Sequence, residues 1–385
     1  MEISERDLTV RASGDRLAFM LRVLLLFALS GGFVFAQKAS PAPSVFPQKT
    51  WATAPHAEDV GFSSKRLAAL KPYLETVDTT AMMVIAGGRV VFSYGDVSTV
   101  SYLASCRKSI LAMLYGKYVA SGQIQLNKTL RELEFNDVGG LLPKELDATV
   151  EDLITARSGV FHPASNGGDA SDSAPPRGSQ THGTYQLYNN WDFNAAGTAF
   201  EKMTGRDIYD ALQKDLAEPI GMQDFDRSKH SKSGDPTRST HLAYHMNFST
   251  RDMARFGYLM LRQGNWNGQQ LIPKEWTKRI TSLVTPIYEI NPPSWREYAK
   301  GSVWGYGYMW WVWDDHHRQG PFEGAYSARG AFGQFITVLP ALDLVIAHKT
   351  VPGETNGRSR AVTDIEYQTI LMHTVAAYCG KACAN

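Results

Sequence analysis

The predicted order of structural elements in this chain depends on residues 105–122, which have the sequence SCRKSILAMLYGKYVASG. Ile110, Leu114 and Tyr118 recur at the spacing of one face of an α-helix. The pair Ser121-Gly122 is typical of a helix end. We therefore predict a helix from Ser105 to Ala120, with Ser105 at its start.

Short β-rich runs lie on both sides of this helix. Residues 82–86 and 89–94 flank the pair Gly87-Gly88, which is typical of a β-hairpin. Three more runs follow near the C-terminus, at residues 306–313, 333–339 and 342–347. The intervening chain is helical and rich in loops, including a long loop at about 161–184. We expect an α+β fold in which an antiparallel sheet from both chain ends is flanked by helices, with a mainly helical domain inserted.

The predicted boundaries follow from this layout. Residues 55–122 and 300–378 form the sheet domain, and residues 123–299 form the inserted helical domain. Residues 37–54 are a Pro/Ala/Ser-rich linker, and residues 379–385 are a tail. Cys379 and Cys383 in that tail can close a small loop in an oxidising compartment.

The N-terminus has the pattern of a secretory signal peptide. An apolar run at residues 23–36 follows Arg16 and Arg22 and ends in Val34-Phe35-Ala36. A membrane anchor is the alternative, but the run is shorter than the roughly 20 residues of a spanning helix. We expect residues 1–36 to be removed and the protein to be secreted or periplasmic without a stable membrane anchor. Met20 is an alternative translation start.

Composition excludes several classes of protein. The 39 basic and 38 acidic residues give a net charge of +1, which argues against a nucleic-acid partner. The 43% hydrophobic content excludes intrinsic disorder. No P-loop or dinucleotide-binding motif occurs, and the histidine pairs lack the other ligands of a metal site. The sequence therefore predicts neither cofactor nor metal, and it leaves the oligomeric state open.

The first chemical motif is Ser105-x-x-Lys108. Residues three apart on a helix share a face, so the hydroxyl and the amine can touch. A serine needs a base to become a nucleophile. Lysine can be that base only when burial or nearby positive charge keeps part of it neutral. The apolar residues that follow Lys108 favour such an environment.

Two further elements accompany this motif. Tyr188-x-Asn190 lies on a loop that leads into a predicted helix. Residues 327–334 carry glycine-rich backbone at a strand edge, where a substrate can approach closely. A Ser-x-x-Lys motif alone is weak evidence, because chance produces about one in a chain of this length. The combination of the three elements is more specific.

These elements, in this order and layout, resemble the serine β-lactamase and penicillin-binding-protein superfamily. The resemblance is closest to its class C-like branch, which also contains esterases, D-amino-acid peptidases and 6-aminohexanoate-dimer-hydrolase-like amidases. It covers roughly residues 62–378. The resemblance implies a β-lactamase/transpeptidase-like fold and a serine hydrolase that cleaves a small-molecule amide or ester through an acyl-enzyme.

The resemblance also implies residue roles. Ser105 would be the acylated nucleophile and Lys108 its general base or proton relay. Tyr188 would assist the proton transfer or activate the deacylating water, and Asn190 would bind the substrate amide and orient Lys108. The Ser105 and Ala331 amides would form the oxyanion hole.

The third element departs from the β-lactamase pattern. It reads Ala328-Arg329-Gly330 where that pattern has Lys-Thr-Gly, so the lysine that meets the antibiotic carboxylate is missing. Arg329 can bind a carboxylate if it points into the site, although strand alternation can also turn it outward. This departure favours an amidase or esterase. A β-lactamase, a D-alanyl peptidase and a non-catalytic binding module that keeps the fold are the alternatives.

Overall fold

The structure is a computed structural model that describes residues 45–298, 303–314 and 320–384. The predicted signal peptide (1–36) and residues 37–44 of the predicted linker lie outside the described residues. Within the three described ranges, no α-helix is both long and apolar enough to span a membrane. The domain boundaries at residues 123 and 299 stay a prediction.

The fold combines helices with β-strands, as predicted. The strands are β1 (Ala81–Ala86), β2 (Arg89–Gly95), β3 (Ser101–Tyr102), β4 (Ser231–Ser233), β5 (Ala243–His245), β6 (Asn247–Phe248), β7 (Asn265–Trp266), β8 (Gln269–Gln270), β9 (Trp304–Tyr306), β10 (Trp311–Trp313), β11 (Tyr326–Gly330), β12 (Gln334–Leu339), β13 (Leu344–Lys349), β14 (Glu354–Thr355) and β15 (Arg358–Ser359). The α-helices are α1 (Ser64–Ala68), α2 (Lys71–Leu74), α3 (Cys106–Ala120), α4 (Val150–Ile154), α5 (Asn190–Thr204), α6 (Ile208–Leu212), α7 (Thr250–Leu261), α8 (Lys274–Ile280), α9 (Pro293–Tyr298) and α10 (Asp364–Ala376).

One large sheet combines strands from the N-terminal and C-terminal parts of the described residues. It has seven antiparallel strands in the order β2-β1-β13-β12-β11-β10-β9. Ala81 of β1 pairs with Lys349 of β13, so the N-terminal hairpin adds directly to the C-terminal strands. Gly87 and Gly88 in that hairpin have φ values of +56° and +80°, as a tight turn with two left-handed residues requires. The predicted α+β fold and hairpin are confirmed.

Hydrophobic cores cover both faces of the sheet. The larger core lies between one face and helices that include α3, α5 and α7. The smaller core lies between the other face and α1, α2 and α10. Alternation along β1 divides its side chains between them, with Met83 and Ile85 in the larger core and Met82 and Val84 in the smaller one. Helix α3 is therefore held against the sheet by burial along most of its length.

One predicted strand is wrong. The run 306–313 is split into β9 and β10, which pair antiparallel with Trp311 opposite Tyr306. The chain packs closely at this reversal, where a Cβ on Gly307 would lie 2.6 Å from the Ser282 carbonyl oxygen. Met309 completes the turn with a φ of +59°. A hydrophobic run without a turn signal does not reveal such a reversal.

The C-terminal tail contains a disulfide bond between Cys379 and Cys383. It follows α10, whose start is capped by the Thr363 side chain.

Candidate active site

Ser105 lies at a sharp turn between β3 and α3. The preceding residue, Ala104, has a left-handed φ of +50°, whereas Ser105 itself is helical with a φ of −74°. A left-handed conformation is uncommon for alanine and often marks a functional turn. Ser105 is only half-buried, although the residues that follow it along α3 are buried. The turn thus presents the hydroxyl at the start of the helix.

Lys108 joins the predicted residues into one cluster. Its Nζ atom lies 3.1 Å from Ser105 Oγ, 2.7 Å from the Tyr188 hydroxyl and 2.7 Å from Asn190 Oδ1. Only 1% of the Lys108 side chain is exposed. A neutral amine has two N–H donors and one lone pair. Asn190 Oδ1 and the Tyr188 oxygen can accept the two N–H groups, which leaves the lone pair for the Ser105 hydroxyl.

The surroundings of Lys108 disfavour its charged form. Burial lowers the pKa of its amine well below the usual 10.5, and the positive charge of Arg107 lowers it further. The Asp169 carboxylate acts in the opposite direction. An uncharged amine in contact with a serine hydroxyl can accept its proton.

Tyr188 completes the proton-transfer group. Burial raises the pKa of its phenol, and the Ser105 hydroxyl and the Arg107 charge only partly oppose this effect. The Tyr188 ring lies against two half-buried indoles, with ring centroids 5.5 Å from Trp295 and 5.8 Å from Trp311. The phenol is therefore held in its protonated form and in one position.

Asn190 is oriented by the loop that precedes α5. Its Nδ2 atom donates to the Gly167 carbonyl oxygen at 2.8 Å, which turns Oδ1 toward Lys108. Its backbone N–H donates to Asp169 Oδ2 at 2.6 Å. The helix cap is the neighbouring Asn189, whose side chain accepts from the Trp191 N–H. Asn190 is thus free of the capping role that its residue type also allows.

The sequence did not single out Asp169. It lies in the loop at 161–184, and the unusual length of that loop was the one signal that it has a function. The sequence did not single out Trp295 either, because its contact with Tyr188 depends on the packing of α9.

Gly330, at the end of β11, approaches the Ser105 turn closely. A Cβ on Gly330 would lie 2.8 Å from the Leu103 carbonyl oxygen and 3.0 Å from the Ser105 nitrogen. Only glycine allows the strand and the turn to come this close. Ala331 follows directly and is exposed. The strand end therefore places backbone groups beside the half-buried hydroxyl.

Arg329 lies on the opposite face of the sheet. Its Nη1 atom is 3.5 Å from Asp364 Oδ1 of α10, and its guanidinium lies 4.8 Å from the centroid of the Trp304 ring. Trp304 belongs to the smaller core, and Asp364 begins α10, which packs on that core. The neighbouring Ala328 belongs to the larger core, as expected because consecutive strand residues face opposite sides of a sheet. The prediction that Arg329 binds the substrate is therefore corrected.

Cys106 is buried directly behind the nucleophile position. Its Sγ atom donates to the Gln334 carbonyl oxygen at 3.2 Å, and burial raises the pKa of the thiol. The Cys106 thiol is therefore neutral near neutral pH, and Cys106 acts as a packing residue. In the part of the chain that the structure describes, no cluster of three or more His, Cys, Asp or Glu side chains can hold a metal ion.

Comparison with known proteins places this cluster in a family. The beta-lactamase family model matches residues 68–358. The chain therefore belongs to the beta-lactamase family, whose members are serine hydrolases. The resemblance inferred from the three motifs is confirmed.

Solved structures share the fold at low sequence identity. A Bacillus anthracis protein provisionally assigned as a 6-aminohexanoate-dimer hydrolase is 20% identical with a TM-score of 0.61, over 87% of this chain and 88% of its own. A family VIII carboxylesterase is 14% identical with a TM-score of 0.58, over 85% of this chain and 99% of its own. An uncharacterized protein of Alkalihalophilus pseudofirmus is 31% identical over 127 residues, which are 30% of this chain and only about a third (34%) of that protein.

Proposed function

We propose that the protein is a serine hydrolase that cleaves an ester or amide bond of a small molecule through an acyl-enzyme on Ser105. The observation that carries this proposal is the 3.1 Å contact between Lys108 Nζ and Ser105 Oγ, in surroundings that keep the amine uncharged. A binding protein needs no such proton acceptor beside a serine hydroxyl.

Acylation begins with proton transfer from Ser105 to Lys108. As the proton moves, Ser105 Oγ forms a bond to the substrate carbonyl carbon, and an electron pair moves onto the carbonyl oxygen. The amides of Ser105 and Ala331 stabilise this oxyanion, and such a donor lowers a barrier by about 3 kcal/mol. The bond to the leaving group then breaks, and the leaving alcohol or amine departs with the proton that Lys108 passes on through Tyr188.

Deacylation repeats the same steps with water. A water molecule gives a proton to the Tyr188–Lys108 pair as its oxygen bonds to the acyl carbon. Collapse of the second tetrahedral intermediate breaks the bond to Ser105 Oγ, which takes the proton back. The product acid leaves, and the free serine is restored. Contact between Tyr188 and Lys108 at 2.7 Å allows this proton exchange.

Two observations favour an ester or amide with an apolar group over a β-lactam. Ala328, which stands in place of the carboxylate-binding lysine, carries no charge, and the neighbouring Arg329 points away toward Asp364. Half-buried Trp295 and Trp311 lie against Tyr188 and offer apolar surface beside the reacting groups. Aromatic side chains with a few polar groups are typical of small-molecule sites.

An active-site-directed probe tests this function. A fluorophosphonate should label Ser105 in the native protein and leave Ser105→Ala unlabelled, as intact mass and peptide mapping can show. Nitrocefin, short-chain nitrophenyl esters, D-alanyl peptides and aminohexanoate oligomers then rank the substrate classes, and we expect the nitrophenyl esters to be hydrolysed most readily. Native protein that takes no label and hydrolyses none of these compounds would contradict the proposal.

We also propose that the protein is exported. The basic residues, apolar run and small-residue end within residues 16–36 support a cleaved signal peptide. The disulfide between Cys379 and Cys383 supports the same proposal, since disulfides persist in oxidising compartments.

A further inference from the structure

Arg107 is a buried cation next to the proposed general base. Only 2% of its side chain is exposed. Its Nη2 atom donates to Asn194 Oδ1 at 3.0 Å, and its guanidinium lies 4.2 Å from the centroid of the Tyr244 ring. Its Nη1 atom is buried without a hydrogen-bond partner. The side chain is thus enclosed by neutral groups.

The charge of Arg107 is not balanced by an acid. Among the described residues, no carboxylate lies within ion-pair distance of its guanidinium, although buried charges are normally paired. Arg107 also lies in the first turn of α3, where the helix dipole disfavours a cation. Arg107 therefore lacks an acidic partner and also lies at the positive end of the helix dipole. Its charge and the dipole both raise the positive electrostatic potential around the adjacent Lys108.

We propose that Arg107 is a positioning residue of the reaction, whose unpaired positive charge keeps the Lys108 amine uncharged and able to accept the Ser105 proton. The inference rests on the proposed function of this site. A second cation beside Lys108 makes its protonated form less stable, because two like charges in a buried site repel each other strongly. The proton acceptor is therefore available at a lower pH than burial alone would allow.

Six other ionisable groups lie near the pair, and one of them, Asp169, opposes this effect. They are Cys106, Asp169, Tyr188, His245, Tyr244 and Tyr209. Burial raises the pKa of the thiol and of the three phenols, so these groups carry no negative charge near neutral pH. Burial and then Arg107 lower the pKa of His245 to about 4, so its imidazole is neutral. Asp169 is the opposing group, and its Oδ2 already accepts from the Asn190 N–H.

The pH dependence of acylation tests this role. The second-order rate of Ser105 labelling is measured from about pH 5 to about pH 10 for wild type, Arg107→Gln and Arg107→Lys. Without the charge, the pKa of Lys108 rises, so the acid limb of the profile should move to higher pH by about one unit in Arg107→Gln. Arg107→Lys keeps a cation and should keep the wild-type limb. Below the limb, Arg107→Gln should label about tenfold more slowly.

A second variant avoids the loss of packing. Asn194→Asp places a carboxylate where Arg107 Nη2 now donates to an amide, so it neutralises the guanidinium without removing it. It should also move the acid limb upward. Arg255→Gln is the matched control, because Arg255 is equally buried but bonds to the Ile220 and Gln48 carbonyl oxygens away from the site. Its stability should fall and its acid limb should stay.

The outcomes separate this inference from the function on which it rests. Wild-type protein that never labels would contradict the proposed function itself. Labelled wild type whose acid limb coincides with those of Arg107→Gln and Asn194→Asp would overturn the role of Arg107 alone. Equal losses at every pH in Arg107→Gln and Arg107→Lys would also overturn it, because they would indicate a purely structural arginine.

Discussion

At the scale of the residue, the proposed reaction depends on one amine. Lys108 contacts a serine, a phenol and an amide within hydrogen-bond distance, and burial favours its neutral form. The Ser-x-x-Lys spacing predicted the contact with Ser105, because residues three apart on a helix share a face. It could not predict the part of Arg107 or Asp169, since those depend on which side chains surround the amine.

Lys108→Ala should remove acylation while the protein still folds. The variant loses the proton acceptor, and general-base catalysis is worth about 10²- to 10⁴-fold in rate. The labelling rate of Ser105 and circular dichroism measure the two effects. Lys117→Ala is the control on the same helix, because Lys117 is exposed and pairs with Asp215. Turnover by Lys108→Ala at the rate of Lys117→Ala would remove the lysine from the mechanism.

At the scale of the element, β11 and the turn before α3 form the site together. Arg329 shows what the sequence could and could not predict about this segment. The motif located this segment, but a shift of one residue along a strand exchanges its two faces. Because the pattern of residues 326–330 does not fix which residues face α3, the orientation of Arg329 followed only from its contact with Asp364. The split of residues 306–313 into two strands likewise followed from packing around Gly307.

Gly330→Ala should impair acylation through the backbone. The added methyl group would press on the Leu103 oxygen and the Ser105 nitrogen, neither of which can move without displacing the turn. Disturbing an oxyanion donor costs about 10²- to 10³-fold in rate, and we expect a loss of this size in kcat/KM for a nitrophenyl ester. Gly353→Ala is the control, because a methyl group there meets open space. Equal kcat/KM values in the two variants would contradict the proposed close approach.

At the scale of the whole molecule, strands from the N-terminal and C-terminal parts of the described residues meet in one sheet, and the site lies on the face that α3 covers. The hydrophobic patterns at both ends predicted this architecture, since alternating and helical periods are strong local signals. Tyr188 contacts Trp295 and Asn190 contacts Gly167, so these contacts join three separate parts of the chain. No local pattern carries that information, so the motifs predicted the members of the site but not its walls.

Export is a property of the full-length chain. We expect the mature protein recovered from outside the cytoplasm to begin at Gln37, because the small residues before it suit signal peptidase. N-terminal sequencing or intact mass of the exported protein measures this. A mature chain that retains residues 23–36 would contradict the cleavage and favour a membrane anchor.

The most direct test of the account is the titration of the Lys108 amine itself. Lysine labelled with ¹³C at Cε reports the charge of each amine by NMR, and loss of one signal in Lys108→Arg assigns it. We predict that this signal titrates well below 10.5 in the folded protein, because burial and Arg107 both lower the pKa of the amine. Titration of Lys108 at or above 10.5 would mean a charged amine beside Ser105 at neutral pH, and such an amine cannot accept the serine proton.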